Sequence, residues 1–342
     1  MLGRDVRTSL TKVLKPWRSS LSCGPLAMYE TIRSRLNSGQ ALLLDGALGT
    51  ELVRRGVRWR KHGLLTDSDA VEALHRDYLI AGAVILRTDT FQLNPRIYLN
   101  VFRNRSHMAH IGAPGLAELT FTLLRKSVEV AKRARAKANN HAAIAGVLSP
   151  LEHCYRPDLV PPPEQARCEH EEIARVFAEE KVDFLLLESM NTISEAKEAL
   201  AAGRSFGLPV WVSFVLGPEG ELLSREPLNR GVVEMEQGGA DAVLVNCAPP
   251  EDIGKAILRM RKFTKLPFGG FAHIGRFSPP SWKFEFFPQF IETESWSPER
   301  YAAEALRWRD AGATIIGGCC GTRPEHTAAL RAVLGTDGRS KA

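Results

Sequence analysis

Short apolar runs recur along the chain, each bounded by turn residues and followed by a stretch whose apolar positions have helical spacing. Eight can be read: 41–45 (ALLLD), 83–87 (AVILR), 142–147 (AAIAGV), 183–188 (DFLLLE), 209–214 (PVWVSF), 241–246 (DAVLVN), 267–272 (PFGGFA) and 313–317 (ATIIG). Between and after them lie amphipathic stretches at 70–82, 115–138, 164–181, 193–206, 230–239, 252–263, 298–312 and 324–334. Several runs are apolar throughout rather than alternating, which is the pattern of parallel strands covered on both faces. Eight strand–helix alternations point to an α/β fold, a single-domain (β/α)8 TIM barrel, over a doubly wound sheet with its fewer strands and glycine-rich phosphate loop. The DGALGT turn at 45–50 does not match that phosphate loop.

In such barrels the reacting groups stand at the C-terminal ends of the strands. Reading those ends in order gives Asp45, then Thr88 and Asp89, Ser149, Glu188, Asn246 with Cys247, His273, and finally Gly317-Gly318-Cys319-Cys320-Gly321. Adjacent residues on a regular strand point to opposite faces, so Cys319 and Cys320 address one centre only if the flanking glycines release the backbone from strand geometry. With Cys247 they would offer three thiolates and leave one tetrahedral position open, the arrangement of a catalytic zinc site. The same three cysteines also fit a plainer reading as small buried residues.

Composition changes this picture little. The chain has 342 residues, is 44% hydrophobic and 25% charged, and carries a formal charge of +6, values of an ordinary globular protein. Residues 1–27 hold five of the basic side chains against one acid, Asp5, so most of the excess belongs to that segment. The remainder shows no gathering of basic and aromatic residues of the kind nucleic acid requires, and no apolar run approaches the roughly 20 residues of a membrane span. Six cysteines, unevenly placed and without an apolar leader, suggest a reducing, cytoplasmic setting rather than a disulfide framework. The expected organisation is a basic tail at 1–27, a barrel at 28–336 and a short tail at 337–342.

Taken together, DGALGTEL at 45–52, LHRDYLIAGA at 74–83, RTDTFQLN at 87–94, LLLESMNTISEA at 185–196, VNCAPP at 245–250 and GGCCGTRPEH at 317–326 resemble the homocysteine S-methyltransferases. That family includes betaine- and S-methylmethionine-dependent enzymes and the homocysteine module of cobalamin-dependent methionine synthase. The resemblance implies Cys247, Cys319 and Cys320 as ligands of Zn2+, with the homocysteine sulfur in the open position and the metal supplying a thiolate nucleophile without a general base. It places Glu188 on the carboxylate that binds the homocysteine amino group and Asp45 on a second acid, with Thr88, Thr90 and Asn246 as hydrogen-bonding partners in the mouth.

By the same resemblance Trp59 falls on an aromatic residue of the donor pocket, where an indole face suits a methyl cation. Gln92 and Ser189 stand where the betaine enzymes have tyrosines, which argues against betaine; Gln92 is similar to the S-methylmethionine type. The function implied is methyl transfer from a sulfonium donor, S-methylmethionine favoured, to homocysteine, giving methionine. The alternatives are a homocysteine- and zinc-binding regulatory or partner-dependent module, or a methyltransferase using betaine or a carrier-borne methyl group. The expected partners are these small molecules, with neither nucleic acid nor membrane, in a monomer or small homo-oligomer; the chain lacks the long C-terminal extension of the tetrameric betaine enzymes. His273, Cys154, Tyr155 and the aromatic-rich connection 274–296 receive no role.

Overall fold

The structure is a computed structural model that describes residues 25–57, 62–101, 115–138, 140–218, 220–278, 289–291, 293 and 295–335. In chain order its elements begin with helix α1 (Pro25–Asn37), strand β1 (Leu42–Leu43), short helices α2 (Gly49–Arg54) and α3 (Gly63–Thr66), and α4 (Ser68–Ala81). There follow β2 (Ile85–Arg87), α5 (Pro95–Val101), α6 (Leu116–Lys137), β3 (Ala143–Leu148), α7 (Pro163–Glu179), β4 (Phe184–Met190) and α8 (Ile193–Ser205). Next come β5 (Val210–Val215), α9 (Leu228–Gln237), β6 (Ala242–Asn246), α10 (Pro250–Met260) and β7 (Phe268–Ala272). A hairpin of β8 (Arg276–Ser278) and β9 (Gln289–Ile291) precedes α11 (Pro298–Asp310), β10 (Ile315–Gly318) and α12 (Pro324–Leu334).

Eight of the strands form one all-parallel sheet in the order β1-β10-β7-β6-β5-β4-β3-β2. Its two ends meet: Leu44 bridges Ile85, Val84 N–H donates to Leu43 O at 2.9 Å and Asp45 N–H to Ile85 O at 3.1 Å. The expected (β/α)8 barrel is therefore present, each strand being one of the eight apolar runs. The seventh run, with two glycines, is a full strand because β7 and β10 approach closely: a Cβ on Gly269 would lie 1.7 Å from the Ile315 carbonyl oxygen. One part of the chain differs from expectation. The aromatic-rich connection 274–296, for which no element was predicted, contains the antiparallel β8–β9 hairpin, with Phe277 opposite Phe290.

Strand alternation divides the core in two. Leu43, Leu86, Ile144, Leu185, Val212 and Val243 face outward under the helices, whereas Leu42, Ile85, Ala145, Phe184, Trp211 and Leu244 fill the barrel interior. Interior packing is tight where large rings face small residues, with Phe184 and Trp211 centroids 4.3 Å apart beside Ala143 and Ala145. Helix α1 joins this interior core through Tyr29, Ile32 and Leu36, and Trp211 Nε1 donates to the Tyr29 hydroxyl at 3.0 Å. It closes the end of the barrel opposite the C-terminal ends of the strands. Helix α1 begins at Pro25, three residues inside the segment read as a tail. Among the described residues no helix is long and apolar enough to cross a membrane.

Candidate metal centre and substrate pocket

Three sulfurs converge at the C-terminal mouth of the barrel. Cys247 follows β6 in the left-handed region, at φ +53°, a conformation that costs a non-glycine residue about 1 kcal/mol or more and persists only where surroundings enforce it. The enforcement comes from β7, whose Phe271 carbonyl accepts from Cys247 N–H at 3.3 Å. Cys319 and Cys320 lie just past β10. Cys319 N–H donates to Ala272 O at 2.9 Å, and Ile274 N–H donates to Cys320 O at 3.0 Å. The turn between the two cysteines and α12 is held by Thr322, whose hydroxyl donates to Cys319 O at 2.7 Å and accepts from Ala47 N–H at 3.2 Å. That turn passes so close to Gly318 that a Cβ there would sit 2.2 Å from Thr322 Oγ1.

The result is a triad with Cys247 Sγ 2.8 Å from Cys319 Sγ and all three sulfurs within 4.8 Å of one another. The Cys319 thiol is held well above the ordinary thiol range by its hydrogen bond to Cys247, together with burial and the neighbouring sulfurs and Glu188. Thiolates gathered this closely are mutually repulsive and desolvated, and a divalent soft-tolerant cation between them removes both penalties. The donor set fits zinc, with three protein sulfurs rather than four.

Beside the triad lies a buried charge cluster. Asp45 is fully buried, Arg87 and Glu188 nearly so. Arg87 Nε donates to Asp45 Oδ1 at 2.6 Å, its backbone N–H to Asp45 Oδ2 at 3.0 Å, and its Nη1 to Glu188 Oε2 at 3.2 Å. Its Nη2 donates to the carbonyls of Gly318 at 2.7 Å, Gly46 at 2.8 Å and Asp45 at 3.2 Å, and its guanidinium carbon stands 4.9 Å from the Phe271 ring centroid. Burial pushes the Asp45 and Glu188 carboxyls above the usual range, with Arg87 opposing it. For Arg87 burial works against the charge, but Glu188 and Asp45 more than offset it and hold the guanidinium above its usual value. Two carboxylates against one guanidinium leave one negative charge uncompensated.

The remaining residues singled out in the sequence divide between the mouth and its supports. The Thr88 hydroxyl accepts from Val147 N–H at 2.9 Å and shares a hydrogen with Thr90 at 2.7 Å, and Thr90 donates to Val147 O at 2.8 Å. Asn246 is fully buried between two serines: Ser213 Oγ donates to its Oδ1 at 2.7 Å, and its Nδ2 donates to Ser189 Oγ at 2.6 Å. These side chains are thus engaged within the protein, and the Ser189–Asn246 bond ties the residue after Glu188 to the residue before Cys247. Gln92 and Ser189 share the left-handed backbone of Cys247, at φ +56° and +62°. Trp59 lies outside the described residues.

Arg87 escaped the reading of the sequence, and Cys154 and Tyr155 were given no role there. Arg87 is the hub of the carboxylate cluster, and its signal was available: a charged residue two positions after inward-facing Ile85, on the same face of an apolar strand. Cys154 and Tyr155, in the loop after β3, pack with Val215 against Cys247. Burial drives the Tyr155 hydroxyl well above its usual range, assisted by Cys247 and the other nearby thiols. No local pattern announces this contact, because it depends on how a long loop folds back.

Comparison with known proteins agrees with this architecture. A family model described as homocysteine S-methyltransferase matches residues 42–334. The homocysteine S-methyltransferase of Escherichia coli K12 is 30% identical over 90% of this chain and 99% of its own length. Betaine–homocysteine S-methyltransferase 1 of Danio rerio is 26% identical over 92% of this chain and 78% of its own. Among solved structures, the metallated form of the Escherichia coli homocysteine methyltransferase MmuM shares the fold at a TM-score of 0.70, with 24% identity over 88% of this chain and 99% of that one. The family match runs from the first barrel strand to the last barrel helix and the bacterial relative aligns over nearly its whole length, so the chain belongs to the homocysteine S-methyltransferase family.

Proposed function

We propose that the chain transfers a methyl group from a sulfonium donor, S-methylmethionine before others, to the sulfur of homocysteine, giving methionine. The observation that carries this reading is the juxtaposition in one mouth of a three-sulfur site and a buried cluster of two carboxylates on one guanidinium. Homocysteine has the two matching features, a thiol and an ammonium. Arg87 joins the two sites, donating to Glu188 at 3.2 Å and to the carbonyl of Gly318, the residue before Cys319, at 2.7 Å.

Cys247, Cys319 and Cys320 would hold Zn2+, which when bound lowers the pKa of a thiol ligand and so presents the homocysteine sulfur as a thiolate at neutral pH. Asp45 and Glu188, held in place by Arg87, bind the ammonium and orient the chain of the substrate. The sulfur lone pair forms a bond to the donor methyl carbon as the carbon–sulfonium bond breaks, and that electron pair leaves on the donor as a neutral thioether. Positive and negative charge disappear together in this step, so a site that excludes water favours it. Tyr155 and Cys154, packed against Cys247, exclude water on that side.

The test is purified protein with homocysteine and S-methylmethionine, S-adenosylmethionine or betaine, with methionine read by mass spectrometry and metal by elemental analysis. Turnover with a sulfonium donor and one zinc per chain is expected. Cys319→Ala should lose both, and full activity in metal-free protein would refute the reading. Zinc and homocysteine binding without turnover on any donor would indicate a binding module instead.

A further inference from the structure

The loop after β3 forms a fastened wall over one side of the mouth. Leu151 N–H donates to Glu195 Oε1 at 2.7 Å and His170 Nε2 lies 3.1 Å from the same oxygen, with all three residues buried. Further along, Tyr155 N–H donates to His153 Nδ1 at 3.3 Å, Arg156 N–H to His153 O at 2.7 Å, and Asn191 Nδ2 to Cys154 O at 3.0 Å. Asn191 stands three residues beyond Glu188, so Cys154 is anchored at the strand end that carries this acid. On its other side Cys154 packs with Tyr155 and Val215, and Leu223 and Cys247 pack against the three. Val215 belongs to the inward face of β5: Trp211 lies in the barrel interior, Val212 and Phe214 lie under the helices, and alternation returns Val215 to the inside. The Cys154 side chain is therefore over the mouth, between the end of β4 and Cys247 after β6. Electrostatics agree, since Glu188 acts on the Cys154 thiol and that thiol acts on Cys247 and Cys320.

An acceptor with its ammonium at Glu188 and its sulfur at the triad is held at both ends and runs along this wall. A methylene added between two fixed ends cannot extend the chain and bows it sideways instead. Resting on the methyl-transfer reading above, we propose that Cys154 sets the length of the acceptor: its side chain fills the space into which a longer amino thiol would bow, and so selects the two-methylene chain of homocysteine. A free cysteine packs as a small hydrophobe and suits such a wall. The wall resists displacement because its loop is fastened at Leu151, Cys154 and Tyr155. The metal ligands and the carboxylate cluster fix only the two ends of the acceptor, and the selection of what lies between them falls to this loop.

The experiment measures, by calorimetry on zinc-loaded protein, the Kd of homocysteine and of its homologue with one more methylene. One methylene is worth about 10- to 200-fold in a fitted apolar pocket, and the wild-type protein should favour homocysteine by a ratio in that range. Cys154→Ala vacates the space of the sulfur and should bring the ratio below about fivefold by tightening the longer thiol. Cys154→Leu should weaken homocysteine by about tenfold or more by filling its path. Zinc content and Tm show that the barrel is intact; if Cys154→Leu loses zinc, Cys154→Ala decides alone. Equal binding of the two thiols to wild-type protein, or a ratio unchanged in Cys154→Ala, overturns the proposal and leaves homocysteine binding in place. Wild-type protein that binds neither thiol overturns the methyl-transfer reading and this proposal with it.

Discussion

Replacing Arg87 with Met tests whether the mouth is organised by a single guanidinium. The substitution keeps the bulk of the side chain and removes every side-chain hydrogen bond it makes, to two carboxylates and to the carbonyls of Asp45, Gly46 and Gly318. Breaking a buried ion pair by deleting one partner costs about 3–5 kcal/mol, and carbonyls left without a donor add to it, so about 5 kcal/mol is expected. With an unfolding entropy of about 2.1 cal/mol/K per residue over roughly 300 ordered residues, that loss corresponds to a fall in Tm of about 8 °C. Arg87→Lys keeps the charge without the planar fork and should fall between the two. In the Arg87→Met background, Glu188→Gln should recover part of the loss, because it removes an uncompensated charge. Differential scanning calorimetry reads the stability and elemental analysis the zinc content, which should drop because Gly318, adjacent to Cys319, loses its anchor. An Arg87→Met protein that melts within about 2 °C of wild type, a discrepancy of some 4 kcal/mol on the same scale, and retains full zinc would refute the reasoning.

Three further outcomes are expected. His75 is fully buried with both ring nitrogens unpartnered, and burial together with Arg87 lowers its pKa to about 4. The folded-state value is below the ordinary 6.5, so the stability from keeping the ring neutral is complete above pH 6.5 and is lost as pH falls toward about 4. It amounts to at most about 3 kcal/mol. Urea unfolding of His75→Leu should show a correspondingly shallower acid dependence, and parallel pH profiles for the two proteins would contradict this. Gly318→Ala places a methyl group against Thr322 and should cost about 1–3 kcal/mol while lowering zinc occupancy; unchanged melting and metal content would count against the tight turn. Ser189→Ala leaves the Asn246 amide short of an acceptor at a cost of about 1–3 kcal/mol. Because the bond is shared, adding Asn246→Ala should cost less than the two single losses combined, and strict additivity in the double-mutant cycle would argue that the two residues act independently.

Most of the barrel was legible in the sequence because each strand is a compact apolar run with helical spacing after it. The cysteines were legible for a related reason: strand-end placement and flanking glycines say where three sulfurs go without knowledge of the helices. Asp45 and Glu188 were readable as acids at the ends of apolar strands. The partners of these groups were less legible. The alternation of β2 turns Arg87 inward with Ile85, but only the closed ring puts it between Asp45 and Glu188. Thr88, Thr90 and Asn246 look like open mouth residues until the neighbouring strand supplies Val147, Ser213 and Ser189 as partners. The β8–β9 hairpin was obscured by prolines and aromatics that mask a short antiparallel pairing.

The closure of the barrel floor by α1 bears on how the chain is made. Tyr29 is among the first residues of the described chain to be synthesised, yet its hydrogen-bond partner Trp211 comes 182 positions later. At about 5–20 residues per second, translation separates the two by about 10–40 s. Throughout that interval Tyr29, Ile32 and Leu36 have no barrel to enter, and their apolar face is open to whatever else the nascent chain or its surroundings offer. The first helix of the described chain is therefore obliged to dock late, and co-translational folding has an early apolar surface to shield and a long-range step near its end.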